Sequence, residues 1–524
     1  TERAVNACIL PRMIETAEMT ARSVAAAGIA APLMVMRSDG GVMSLQEMRR
    51  RPILTILSGP AAGVAGALLF EKVSTGIFLE FGGTSTDISV IRDGRAVMKP
   101  AWIGGHRTYL TTLDVRTVGI GGGSMAVVEG GRIVRVGPRS AHIAGLRYAA
   151  FERLSGRAAC EPGRVAGDPG QYLLLREGEQ RLAVTATCAA NALGLVPVGN
   201  YAAAPGPSAG DAFRLVAAAL RTTPQAAAQR ILELASEKVI ATCEELIWEY
   251  RLQRAHLELV GGGGAAGVLL PFVAQRLKLP FRIAACPEVI STIGVALAMV
   301  RETVERNVAN PTPDDMLRIR REAEQAVLKQ GAVAGTVEVE VQVDRQRHLV
   351  RAIAMGATEI RRKQAAVVGT GILARPLAPD GQECPSPPAP GLAGTGGAYL
   401  AQVAVRFLGG EGEVVGETAR FVLFVRKGVL VAVDRDGVVR LQTRGCTVRP
   451  ATAGTVRARL AEALDQFSTF GDAGRLLPEI HLVWGGRLLN LSSLADDAQV
   501  LALADVELRG LADSEPVYLL VKSR

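Results

Sequence analysis

The chain is poor in the residues that mark several functional classes. Aromatic residues make up only 4% of its 524 positions, and a net charge of +8 is spread along it without a basic block. It therefore lacks the stacking surfaces and the electrostatic stripe that a nucleic-acid binder needs. Its seven cysteines, at positions 8, 160, 188, 243, 286, 384 and 446, never form a C-x-x-C pair. That pattern speaks against a disulfide framework and against a cysteine-rich zinc site. The five histidines are equally dispersed, so no imidazole cluster offers itself to a metal. No apolar run reaches bilayer-spanning length, because Glu258, four glycines and Glu288 break up the best candidates. The expectation is a cytoplasmic protein with neither a nucleic-acid nor a membrane partner. The chain begins Thr1-Glu2-Arg3, without the basic and apolar regions of a signal peptide. A processed product or a fragment is expected.

What is present is enough apolar sequence for large cores, with 48% hydrophobic and 21% charged residues. The length calls for two or three domains. The most informative stretch is Gly82-Gly83-Thr84-Ser85-Thr86-Asp87, set between the apolar runs Ile77 to Phe81 and Ile88 to Ile91. Glycines let backbone N–H groups approach an anion, and hydroxyls add donors. Thr84 and Thr86 would donate to phosphate oxygens, while Asp87 would hold a magnesium ion or orient an attacking water. The bland alternative is an ordinary hairpin loop, since these are common turn residues.

Two further glycine loops stand out. Gly119-Ile120-Gly121-Gly122-Gly123-Ser124 follows Asp114 and reads either as a second ligand loop or as a hinge. Gly261-Gly262-Gly263-Gly264 lies between a strand-like and a helix-like run. It reads as a tight turn, or as a surface bare enough for a flat adenosine. Gly262, Gly264 and Gly267 have dinucleotide-fingerprint spacing, but Pro287 puts the acidic Glu288 at a helix start rather than a strand end. His106 and His142 are candidate bases on position alone, and Cys286 has no histidine nearby in sequence.

Along the chain, helices are expected over 11–30, 61–70, a long stretch capped by Thr223-Pro224, 266–276, 287–305, 314–330 and 456–467. Strands are expected at 33–36, in a meander over 77–100, and at 125–128, 132–136, 257–260, 281–285, 337–343, 399–407, 419–425 and 429–433. Residues 155–179, rich in Gly, Arg and Pro, read as an irregular insertion, and 375–397 as a linker. The alternation of strand and helix indicates an α/β fold.

The residues also resemble a known family. Ser38-Asp39-Gly40-Gly41, Arg51-Pro52, Ser58 to Gly63, Gly82 to Asp87, Asp114 with Val118 to Ser124, and Gly261 to Ala265 occur in order. This series is similar to the hydantoinase A and 5-oxoprolinase family, which includes subunits of acetone and acetophenone carboxylases. The similarity runs from Glu2 to about Arg306. The resemblance implies an actin-like ATPase (ribonuclease H-like) fold with ATP between two α/β halves. Gly82 to Asp87 would be the second-half phosphate loop, with Asp87 and Asp114 catalytic and Asp87 on Mg2+. Gly121 to Ser124 and Gly261 to Gly264 would complete the ATP site. It also implies phosphorylation of a cyclic amide or ketone oxygen and a companion B-type subunit. A non-catalytic, ATP-dependent chaperone of the same fold is the alternative. The family's first phosphate loop has no counterpart, as expected of an incomplete first half. Glu80 stands where the family usually has aspartate, Arg139 to Gly145 replaces a glycine- and proline-rich stretch, and the Arg-Tyr-x-Gly-Gln signature is missing. The expected organisation is an ATPase domain over 1–306, a connector over 307–374, a linker over 375–398 and a C-terminal α+β accessory domain over 399–524.

Overall fold

The structure is a computed structural model that describes residues 2–29, 33–103, 106–155, 157–344, 346–358, 413–426, 428–434, 439–471 and 474–524. The linker expected over 375–397 and the strand expected over 399–407 lie outside the described residues. The contacts divide the chain into two compact units. One comprises Thr1–Arg37, Gly41–Ile56 and Ala296–Arg524, and the other Ser38–Gly40 with Leu57–Val295.

The second unit holds all three glycine loops. Its central sheet contains β1 (Gly76–Phe81), β2 (Thr86–Arg92), β3 (Arg95–Ala96), β4 (Val115–Val118), β5 (Glu258–Gly262) and β6 (Phe281–Ile283). The order is β6-β5-β1-β2, and the outer edge of β2 is shared by β3 and β4. β1, β5 and β6 run parallel, whereas β1 and β2 form the expected antiparallel hairpin. Alternation sends Ile77, Leu79, Phe81, Ile88 and Val90 to one face, where they join a large core with helices α2 (Ala186–Ala192), α3 (Ser208–Leu220), α4 (Pro224–Glu249) and α5 (Ala266–Leu277). Thr223 caps α4 through its hydroxyl, with Pro224 in the first turn, as the sequence signals.

The opposite face carries Phe78 and Glu80 under two helices of small residues, α1 (Ser58–Leu69) and α6 (Ile290–Leu297). A Cβ at Gly294 would stand 1.9 Å from the Ala62 carbonyl oxygen, and one at Gly66 2.4 Å from that of Ile290. The helices therefore touch backbone to backbone, which explains the run of Gly and Ala in α1.

Two expectations need correction. Residues 155–179 are not irregular: Ala159–Arg164 and Gln171–Glu177 pair antiparallel within a six-stranded sheet. Leu173, Leu174 and Leu175 are buried there, and Pro162 is tolerated because its strand has only one neighbour. The helix expected to reach Glu305 ends at Leu297, and Val300–Asn307 is a strand paired with Leu349–Gly356. Val300 and Glu302 point inward at period two, and full pairing with Leu349–Gly356 overrides the helical reading.

In the other unit this strand belongs to a five-stranded sheet covered by the helix Pro313–Lys329. That helix has a capping box between Thr312 and Asp315. Two four-stranded sheets follow in the C-terminal part, with helices Val456–Phe467 and Asp497–Glu507. No helix among the described residues is long and apolar enough to cross a membrane.

Candidate nucleotide site

The β1–β2 turn presents Gly82 to Ser85 at the end of the central sheet. Gly82 N closes the turn on the Ser85 carbonyl at 2.9 Å. The second glycine loop is zipped onto it: Gly122 N donates to Gly82 O at 2.9 Å and Gly123 N to Gly83 O at 2.8 Å. A Cβ at Gly121 would lie 2.5 Å from Gly82 O, so the contact requires glycine. Ser124 is fully buried and its hydroxyl accepts from Gly121 N at 2.9 Å, fixing that loop from within. Thr187, at the start of α2, donates to Gly122 O through both N and Oγ1 at 2.8 Å.

The Gly261 to Gly264 turn joins the same patch. Ala265 N donates to Phe81 O at 3.0 Å, and a Gly122 Cβ would be 2.7 Å from the Ala265 Cβ. Packing accounts for most of this run. Gly261 faces Leu270, Gly262 faces Phe78 and Ile290, and Gly263 has φ +83° with its N donating to Pro287 O at 2.7 Å. The three sequence-predicted loops thus form one glycine-lined surface.

At the loop tip, no described residue accepts from the N–H of Gly83, Thr84 or Ser85. These donors suit an anion. The hydroxyls divide. Thr84 Oγ1 lies 2.9 Å from Ser140 Oγ at the half-buried rim, whereas Thr86 is fully buried and gives its proton to Ile120 O at 2.6 Å. Thr86 therefore ties the two loops together, and its hydroxyl does not face a ligand.

Strand register brings a second carboxylate to the site. Gly262 opposes Glu80, Glu80 opposes Asp87, and Asp87 opposes Thr117, in one row across four strands. Asp87 Oδ1 accepts from Thr117 Oγ1 at 2.6 Å. Glu80 accepts from the Ser291 hydroxyl, and Gly63 leaves room beneath it. Burial raises the proton affinity of both carboxyls, against their hydroxyl partners; the Asp87 charge adds to the rise at Glu80. Among the described residues no group of three or more His, Cys, Asp or Glu is placed to hold a metal by itself. Two opposed carboxylates beside these unpartnered amide donors still fit Mg2+, which keeps waters and takes few protein ligands.

Asp114 lies elsewhere in chemistry. It is 8% exposed and accepts from Arg116 Nε at 3.0 Å, from Arg116 Nη2 at 3.3 Å and from Tyr250 Oη at 2.6 Å, with Lys99 Nζ at 3.4 Å. Burial alone would raise its pKa, but the Arg116 and Tyr250 hydrogen bonds and the nearby cations hold it below the usual range. His106 and His142 are exposed, and Cys286 is half-buried.

Sequence reasoning left out Thr117, Ser140 and Thr187, and gave Glu80 no role. Glu80 was within reach, because a hairpin pairing Phe81 with Thr86 must place Glu80 opposite Asp87. The others come from distant segments and carry no local signal.

The Hydantoinase/oxoprolinase family profile matches residues 2–304, more than half of the chain, and the chain belongs to that family. Among curated proteins it is 27% identical over 282 residues to caprolactamase subunit alpha of Pseudomonas jessenii, covering 52% of this chain and 37% of the relative. It is 37% identical over 114 residues to 5-oxoprolinase 1 of Arabidopsis thaliana, covering 21% of this chain and 9% of that one. These matches thus span well under half the length of either relative. The solved ATP-dependent caprolactamase of Pseudomonas jessenii aligns at 20% identity with a TM-score of 0.49, over 84% of this chain and 69% of that one. The mixed α/β architecture agrees with the actin-like fold that the family resemblance implies.

Proposed function

We propose that the chain is the nucleotide-binding part of an ATP-dependent hydrolase of the hydantoinase and oxoprolinase type. It would act on a cyclic amide, or a ketone, together with a B-type companion subunit. The observation that carries this reading is the tip of the β1–β2 hairpin, where the unpartnered N–H groups of Gly83, Thr84 and Ser85 stand beside the opposed carboxylates Glu80 and Asp87.

Those donors and the Thr84 hydroxyl would bind and orient the terminal phosphates of ATP, and the Gly121 to Gly123 backbone would keep the loop from yielding. Asp87 and Glu80 would hold Mg2+, which when bound offsets phosphate charge. Thr117 and Ser291 fix the two carboxylates, so little reorganisation is needed on binding. Transfer of the terminal phosphoryl group to the substrate oxygen would release ADP and turn a poor leaving group into a good one. On a cyclic amide, water would then add at the carbonyl carbon, and the adduct would break the ring C–N bond as the nitrogen takes a proton. A second water would release the phosphoryl group as inorganic phosphate.

The test is ATP hydrolysis by this protein with its B-type companion, offered 5-oxoproline, hydantoins and small ketones. Substrate-dependent turnover that is lost in Asp87→Ala is expected. Turnover indifferent to every substrate would support the chaperone alternative, and absence of any turnover above the Asp87→Ala background would sink the enzyme reading.

A further inference from the structure

The loop between α2 and α3 presents an aromatic ring that the phosphate site leaves unused. Tyr201 is 74% exposed, yet the loop that carries it is held at several points. Asn191 Nδ2 donates to Ala202 O at 2.9 Å, and its Oδ1 accepts from Ala204 N at 2.7 Å. Asn200 Oδ1 accepts from Ala202 N at 3.0 Å. A single exposed tyrosine is ordinary. One on a fixed loop against a bare turn is less so.

The ring stands against Gly264. A Cβ there would approach two of its carbons to 3.0 Å and 3.2 Å, and Gly264 is not among the glycines of positive φ. The ring is therefore the near neighbour that a side chain at residue 264 would have to displace. The next residue, Ala265, bonds to Phe81 immediately before the phosphate loop and packs on Gly122. Tyr148 connects the same ground from the other side: a Cβ at Gly123 would lie 2.2 Å from its hydroxyl, and Tyr201 is near enough to influence its ionisation. Aromatic ring, bare turn and phosphate donors thus lie in sequence along one patch.

We infer that Tyr201 is the seat of the nucleobase, its ring stacking on the flat heterocycle of a purine nucleoside triphosphate whose phosphates lie at Gly83 to Ser85. The inference rests on the nucleotide reading given above and adds to it the residue that distinguishes a nucleotide from a bare polyphosphate. The loop backbone beside the ring is held and a tyrosine has only two side-chain torsions, so ordering the ring costs little of the stacking energy.

The test is calorimetric titration of the full chain with ATP and, separately, with inorganic tripolyphosphate. Tyr201→Ala should weaken ATP about tenfold or more while leaving tripolyphosphate affinity unchanged, and Tyr201→Phe should stay within about twofold of wild type for both. Equal ATP affinity in wild type and Tyr201→Ala would overturn the stacking role and leave the phosphate site standing. Equal losses of ATP and tripolyphosphate in Tyr201→Ala would also overturn it, because the side chain would then be supporting the loops and not reading the base. Wild-type protein that binds neither ligand would overturn the inference together with the nucleotide reading.

Discussion

Asp87 and Asp114 belong to the same compact unit and were both candidates for chemistry, but their surroundings differ in kind. Asp114 meets a bidentate guanidinium, an ammonium and a phenol, which hold it ionised and satisfied. Glu302 in the other unit is treated alike, with Arg37 at 3.5 Å, Arg51 at 3.4 Å and the Gln330 amide at 2.8 Å. Asp87 has one hydroxyl partner and faces Glu80, with burial raising both proton affinities. A buried carboxylate ringed by cations is already compensated and has little left to offer a ligand. The Glu80–Asp87 pair, which meets no cation among the described residues, is held at a cost that an arriving cation would relieve. On the function proposed above, this contrast would leave Asp114 to the fold and the Glu80–Asp87 pair to the ligand.

The largest effect that would test this assignment is on turnover. Asp87→Asn should lower ATP-dependent rate by about 100-fold or more, as removal of a preorganised charged group does, while thermal unfolding stays unchanged or moves upward. Asp114→Asn should do the reverse. Loss of the paired charge should cost about 2 kcal/mol in urea unfolding and leave kcat near wild type in the folded fraction. Full stability with lost turnover in the Asp114 variant would erase the distinction.

A subtler effect concerns pH. The folded-state pKa of Glu80 is raised, chiefly by burial. The folded chain therefore binds its proton more tightly than the unfolded chain, and stability falls as pH rises through the window from the ordinary carboxylate value to the raised one. Glu80→Gln removes that loss, so the variant should unfold at higher denaturant than wild type at pH 7, with the gap closing on acidification. A gap that widens toward acid would mean that Glu80 has a hidden cationic partner.

The smallest effect is expected at Thr117, whose hydroxyl stabilises the ionised form of Asp87. Thr117→Val should move the acid limb of the rate profile to higher pH and leave the alkaline plateau alone. A uniform loss across pH would make Thr117 part of the site's structure and not a tuner of its charge.

Much of this could be read locally. The hairpin around Gly82 to Asp87, the capped helix after Thr223 and the helix from Val456 to Phe467 each depend on short-range periodicity and turn chemistry, which a sequence displays directly. The segment 155–179 could not be read that way, because Pro162 is tolerated on a strand with a single neighbour, and neighbours are a tertiary fact. The same limit applied to Thr86, which looks like a ligand donor in sequence and is consumed by Ile120 across a gap of 34 residues.

By itself, the sequence determined that three glycine loops, two with hydroxyls beside them, would occur in an α/β chain of one recognisable family, because glycine and strand alternation are written residue by residue. Only the tertiary structure decided that the loops are zipped into one surface and that Thr117 and Ser291 hold the two carboxylates. It alone also showed that Asp114 is bound among cations, since contact and charge compensation depend on which distant segments meet.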